Sequence, residues 1–197
     1  MTWSRPWTST PRSPASGYWP NPAENPGTGP VTDAAAAVRR AGVLVASTSA
    51  AAGTNPDRTG PVISQWLQQR GFTVDLRITA DGPEVGVGLR QLLAGEPRLI
   101  LTTGGTGVSP TDLTPEQTAP LLQVQLPGVI EAIRRRGEAV TPLSVLTRGV
   151  AGFAGSCLIV NLPGSTGGVR DGLAVLDPLL EHLLEQRITG GGHGPRH

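Results

Sequence analysis

The segment Leu99-Ile100-Leu101-Thr102-Thr103-Gly104-Gly105-Thr106-Gly107 runs from an aliphatic triplet straight into a loop of threonine and glycine. Consecutive aliphatic residues read as a short strand buried on both faces, because a strand with one wet face would alternate. Glycine in the loop permits positive φ, which lets successive backbone N–H groups point inward at a bulky anion. Downstream, Thr114-Pro115-Glu116-Gln117 has the form of a capping box with proline at the first helical position, which predicts a helix after the loop. Strand, glycine loop and helix in that order are the repeating unit of a parallel sheet.

The same alternation continues outward. Towards the N-terminus, Pro83 to Leu93 reads as a helix stopped by Gly95, and Phe72 to Ile78 alternates like a strand. Asp57-Arg58-Thr59-Gly60-Pro61 opens a helix that ends before Gly71, and Val43-Leu44-Val45-Ala46 is a buried strand. Towards the C-terminus, a helix is expected from Pro127 to Arg136, ending at Gly137, and Pro142 to Thr147 is also helical. Gly152 to Gly155 is expected to turn the chain, and Leu158 to Leu162 to form a strand. Pro163-Gly164-Ser165-Thr166-Gly167-Gly168 then leads into a helix through Leu176. A last helix from Pro178 to Gln186 places Leu179, Leu180, Leu183 and Leu184 on one face. The expected class is α/β, a mostly parallel sheet covered by helices on both faces. One domain spans residues 39–188. Residues 1–38, rich in Pro, Ser and Gly despite Trp3, Trp7, Tyr18 and Trp19, and the Gly-rich residues 189–197 are expected to be disordered tails.

Composition narrows the function. A chain of 197 residues suits one domain with tails, and a net charge of +1 gives no field for a nucleic-acid partner. The run Arg134-Arg135-Arg136 falls at the end of a helix, where cations complement the dipole. Cys157 is the single cysteine, so no internal disulfide forms, and its apolar neighbours make it a buried thiol. No signal-like start is present, and no run approaches the roughly 18 apolar residues of a membrane span. A soluble, cytoplasmic protein without membrane contact is expected. Every basic side chain is arginine or histidine, with no lysine at all. That excludes a P-loop, which needs its lysine, and Schiff-base chemistry, which needs an amine. Any phosphate handled by this chain must be held by backbone N–H groups, arginine or a metal ion.

Three strand ends carry small polar loops: Ser47-Thr48-Ser49, Thr103 to Gly107, and Pro163 to Gly168. In parallel sheets such ends form the ligand edge, and a helix N-terminus there adds partial positive charge. Asp112 follows the second loop by five residues. It reads either as a helix cap or, beside a phosphate loop, as the hard oxygen ligand that Mg²⁺ prefers. Asp81, at the end of the second strand, reads either as a turn residue or as a second acid at that edge. Arg58, Arg148 and Arg170 are the nearest cations. His182, His193 and His197 lack metal-ligand spacing, and no Ser/His/Asp arrangement is evident.

From Leu101 to Glu116 the chain closely resembles the molybdopterin-binding domain family of the Mog and MoaB adenylyltransferases, gephyrin and plant Cnx. Pro56 to Pro61, Leu146-Thr147-Arg148-Gly149 and Leu158 to Gly164 resemble three further blocks of that family. The resemblance implies a three-layer α/β/α sandwich and the adenylylation of molybdopterin by Mg-ATP with release of pyrophosphate. It makes Asp81 and Asp112 the catalytic acids, with Asp112 on the metal. Ser47, Thr103, Gly104, Gly105, Thr106, Gly107, Arg148, Pro163, Gly164, Ser165 and Gly168 become the residues that bind substrate and nucleotide. It also implies a homotrimer or homohexamer and contact with other proteins of molybdenum cofactor biosynthesis. This chain departs from the pattern at Thr48, where the family usually has Asp, and at Ala80, Gly82, Thr147 and Thr166. The alternative is a family member that binds molybdopterin without catalysis.

Overall fold

The computed structural model describes residues 39–188, which form a six-stranded sheet flanked by helices. The expected tails at 1–38 and 189–197, with His193 and His197, lie outside the described residues. The strands are β1 (Arg39–Ala46), β2 (Phe72–Thr79), β3 (Leu99–Thr103), β4 (Val124–Gln125), β5 (Ala151–Ala154) and β6 (Cys157–Leu162), in the order β2-β1-β3-β6-β5-β4. The first four in that order are parallel, and β5 and β4 add an antiparallel edge. The helices are α1 (Thr48–Ala51), α2 (Gly60–Gln68), α3 (Glu84–Leu93), α4 (Thr114–Thr118), α5 (Pro127–Glu138), α6 (Thr166–Leu176) and α7 (Leu180–Ile188).

The two-residue period of the strands sorts their side chains between two cores. Val43, Val45, Leu99, Leu101, Leu158 and Val160 pack with α2, α5, α6 and α7 on one face. Leu44, Ile100, Cys157 and Ile159 pack with Val85, Leu89 and Leu92 of α3 on the other. The three-layer expectation is therefore met, with unequal layers. Burial pushes the Cys157 thiol up to about 12, so it stays protonated within that second core, as expected of a structural cysteine.

Four local readings are corrected. Gly152 to Gly155 is not all turn: residues 151–154 are β5, and only Gly155 (φ 60) and its neighbour reverse the chain. Gly152 sits where a β-carbon would overlap the Val124 carbonyl oxygen, so close strand pairing demands glycine there. Gly137 does not end α5 but lies inside it, where a β-carbon would come within 2.7 Å of Ser144 Cβ. The capping box at Thr114 does not form: Leu113 is the N-cap and Thr114 belongs to the helix, its buried hydroxyl unpaired. Gln117, the box's other half, lays its side chain against Gly86 of α3, and its N–H bonds to the Leu113 carbonyl. Finally, Leu180 and Leu184 are buried and Leu183 packs beside them, but Leu179 precedes α7 and is exposed.

The topology positions the site. From β1 the chain passes to β2 on one side and then to β3 on the other, so the sheet has its switch point between β1 and β3. Connections diverge there, which opens a crevice at the carboxyl ends of both strands.

Candidate functional site

The three small polar loops meet at one rim. Gly104 has φ 88, and a β-carbon on it would overlap the Ala46 carbonyl oxygen at the end of β1. Only glycine permits that approach. Thr103 Oγ1 donates to the Pro163 carbonyl at 2.8 Å, joining the loop after β3 to the loop after β6. The ideal β-carbon position of Gly164 lies 3.2 Å from Gly104 Cα. Ser47 N donates to Thr79 O at 2.9 Å, which adds the end of β2.

Two cavities open at this rim and share Gly164 and Ser165. The first, about 360 Å³, is polar and is lined by Ser47, Ser49, Asp57, Arg58, Asp81, Thr103, Gly104 and Thr166 among others. The second, about 440 Å³, is mainly apolar, with Ile133, Val140, Leu143 and Leu146 facing Thr106, Gly107, Gly167 and Gly168. Ser165 Oγ accepts from Gly168 N at 3.0 Å and caps α6, so the helix starts between the two cavities.

Both predicted acids stand at the glycine loop, half-buried and outside the cores. Asp81 Oδ2 accepts from Thr48 N at 2.9 Å and Thr48 Oγ1 at 3.0 Å, while Oδ1 lies 3.2 Å from the β-carbon position of Gly105. The neutral threonine at 48 thus grips a carboxylate where the family pattern has another acid. Asp112 Oδ2 accepts from Ser109 N at 2.9 Å and lies 2.8 Å from the β-carbon position of Gly107. Each acid therefore has one oxygen fixed by protein and a second, Oδ1, with no hydrogen-bond partner among the described residues. Two hard oxygen donors at one loop suit Mg²⁺, which takes one or two carboxylates and completes its shell with water and phosphate. No cluster of three or more acidic, histidine or cysteine side chains occurs among the described residues, so a cage made by protein alone is not present there.

The arginines divide. Arg58 is exposed at the polar cavity. Arg170 lies instead in a groove with Trp66 and Asp177, away from the glycine loops. Arg148 is committed to the protein: Nε donates to Gly107 O and Nη2 to Asp112 O, both at 2.6 Å, and Nη1 pairs with Glu116. One residue was missed as part of the site. Asp57 Oδ1 takes Thr59 N at 2.9 Å, Thr59 Oγ1 at 3.1 Å and Gly60 N at 3.0 Å, while its buried Oδ2 has no partner beside the polar cavity. Its place three residues before Gly60, inside the Pro56 to Pro61 block, is the available signal, although the sequence reading gives it no site role.

Residues 42–182 match the family described as "Probable molybdopterin binding domain". The chain belongs to this molybdopterin-binding family. The Mog protein of Mycobacterium ulcerans superposes with a TM-score of 0.74 at 52% identity, covering 76% of this chain and 99% of that one. The molybdopterin adenylyltransferase of Pyrococcus furiosus is 32% identical over 150 residues, 73% of this chain and 88% of that protein. A molybdenum cofactor biosynthesis bifunctional protein of Synechococcus elongatus is 38% identical over 181 residues, 91% of this chain but 56% of its own length. The chain thus spans little more than half of that bifunctional member of the family.

Proposed function

We propose that this chain adenylylates molybdopterin in molybdenum cofactor biosynthesis. The observation that carries the reading is the pair of acids, Asp81 and Asp112, set against Gly105 and Gly107 of one loop between two cavities. Names of relatives support the same chemistry. In this reading the pterin and the nucleotide take the two cavities, and their phosphates meet at the shared rim of Gly104 to Gly107, Gly164 and Ser165. The terminal phosphate oxygen of the pterin bonds to the α-phosphorus of ATP, and the bond to pyrophosphate breaks. Backbone N–H groups of the glycine loop and the start of α6 hold phosphate oxygens in line, so catalysis is mainly positioning. Asp112, with Asp81 beside it, would hold Mg²⁺, which when bound offsets charge on the leaving pyrophosphate. Arg58 supplies an exposed cation at the polar cavity in place of the lysine the chain lacks. Assembly into a homotrimer or homohexamer is part of the same proposal.

The test is pyrophosphate release from purified protein with molybdopterin, ATP and Mg²⁺. Wild type is expected to turn over, and Asp112→Ala to lose about 100-fold or more in rate with pterin binding kept. Equal rates would remove Asp112 from the reaction. Tight pterin binding with no pyrophosphate from wild type would leave a binding module.

A further inference from the structure

We propose that Arg148, held by Glu116, is a positioning residue that clamps both ends of the loop bearing Asp112 and so fixes the aim of that carboxylate. The kinetic consequence rests on the adenylylation reading; the clamp itself rests on geometry. The main-chain N of Arg148 donates to Thr106 O at 2.8 Å, and the side chain reaches Gly107 O and Asp112 O. Those two carbonyls bracket residues 108–111, which are exposed and joined to the protein by few bonds of their own. A segment of that kind opens easily unless something ties its ends. The planar guanidinium fork bridges two carbonyls at a fixed spacing, whereas a lysine ammonium is a single point charge on a flexible stem and sets no such spacing.

Glu116 completes the device from α4. It takes Nη1, so Nε, Nη1 and Nη2 each have a partner. Its carboxylate pairs with the guanidinium from the α4 side and so orients the fork toward the two carbonyls. The base of the clamp is anchored as well: Arg134 Nε donates to Thr147 O at 2.8 Å, and the hydroxyls of Thr147 and Thr106 lie 3.1 Å apart. The arginine that the family resemblance assigned to substrate therefore acts through Asp112.

The experiment uses full-length Arg148→Lys and Glu116→Gln, with hydrogen exchange, thermal melting and Mg²⁺ titration of pyrophosphate release. Exchange across residues 106–113 is expected to rise while β1 and β3 stay protected. The Mg²⁺ concentration for half-maximal rate should rise about tenfold in Arg148→Lys, and less in Glu116→Gln, with KM for the pterin unchanged. A merely structural role would lower the melting temperature and the active fraction without moving the Mg²⁺ requirement. Wild-type exchange in both variants overturns the clamp, as does raised exchange with an unmoved Mg²⁺ requirement. If wild type releases no pyrophosphate, the adenylylation reading fails by itself, and exchange alone decides the clamp: raised supports it, unchanged overturns it.

Discussion

Asp81 and Asp112 both stand at the same glycine loop, against Gly105 and Gly107, yet the chain fastens them by different means. Asp81 is gripped by Thr48, 33 positions earlier, across the β1–β2 pairing that sets Ala46 against Thr79. Asp112 is gripped by Ser109, three positions earlier in its own turn, and by an arginine clamp on its carbonyl. The aim of the first acid is thus a property of sheet register, and that of the second a property of one loop. Damage to the sheet edge should disturb both acids, and damage to the loop should disturb Asp112 alone.

The change expected to break the contrast most completely is Gly104→Ala. A β-carbon at φ 88 driven into the Ala46 carbonyl should cost about 3 kcal/mol or more, read as a fall in the urea midpoint. Unchanged stability would mean the rim is not built as described. Gly107→Ala isolates the loop, because its neighbour is the movable Asp112 carboxylate and its φ is not positive. Stability should change by less than about 1 kcal/mol while pyrophosphate release falls about tenfold. Thr48→Val isolates the other acid by removing one of two donors to Asp81 and leaving the main-chain N–H. It should cost about 1 kcal/mol in denaturation, with a smaller loss of rate than Gly107→Ala. An equal loss of rate would show that the two acids are not aimed independently.

The smallest effect is a pH dependence carried by the Glu116–Arg148 pair. Burial works to raise the Glu116 pKa, but the hydrogen bond and charge of Arg148 outweigh it, and the net shift is downward from 4.5. A depressed carboxylate stabilises the fold above its ordinary pKa, and that contribution is lost as pH falls through the lower folded value. Glu116 is substantially exposed, so screening keeps the effect small. Protection of residues 106–113 against exchange should therefore weaken below pH 4.5 in wild type, and less so in Glu116→Gln, which lacks the titrating group. Constant loop protection through that range would contradict the role given to the ion pair.

The parallel half of the sheet was legible because strands buried on both faces must be nearly all aliphatic, as Leu99-Ile100-Leu101 and Leu158-Ile159-Val160 are. The antiparallel edge was not. Val124 and Gln125 are a two-residue strand on the surface, and Ala151-Gly152-Phe153-Ala154 carries a glycine that looks like a turn until β4 is seen pressed against it. Gly137 misled for the same reason, since a glycine kept for close packing and one kept for a chain reversal look identical in sequence. Thr114 and Gln117 matched a capping box in spacing, but the helix is capped at Leu113 and the Gln117 side chain lies against Gly86 of α3.

Composition by itself determined that no lysine can hold an anion here, which leaves that task to backbone N–H groups, arginine or a metal ion. Local pattern determined the α/β alternation, because burial on two faces leaves its mark residue by residue. Only the tertiary structure decided that β1 and β3 diverge at the switch point, that Thr48 reaches Asp81, and that Arg148 serves Asp112 and not the open cavity. A side chain chooses among partners by distance in space, and that distance is set by strand order and register, which no short stretch of sequence contains.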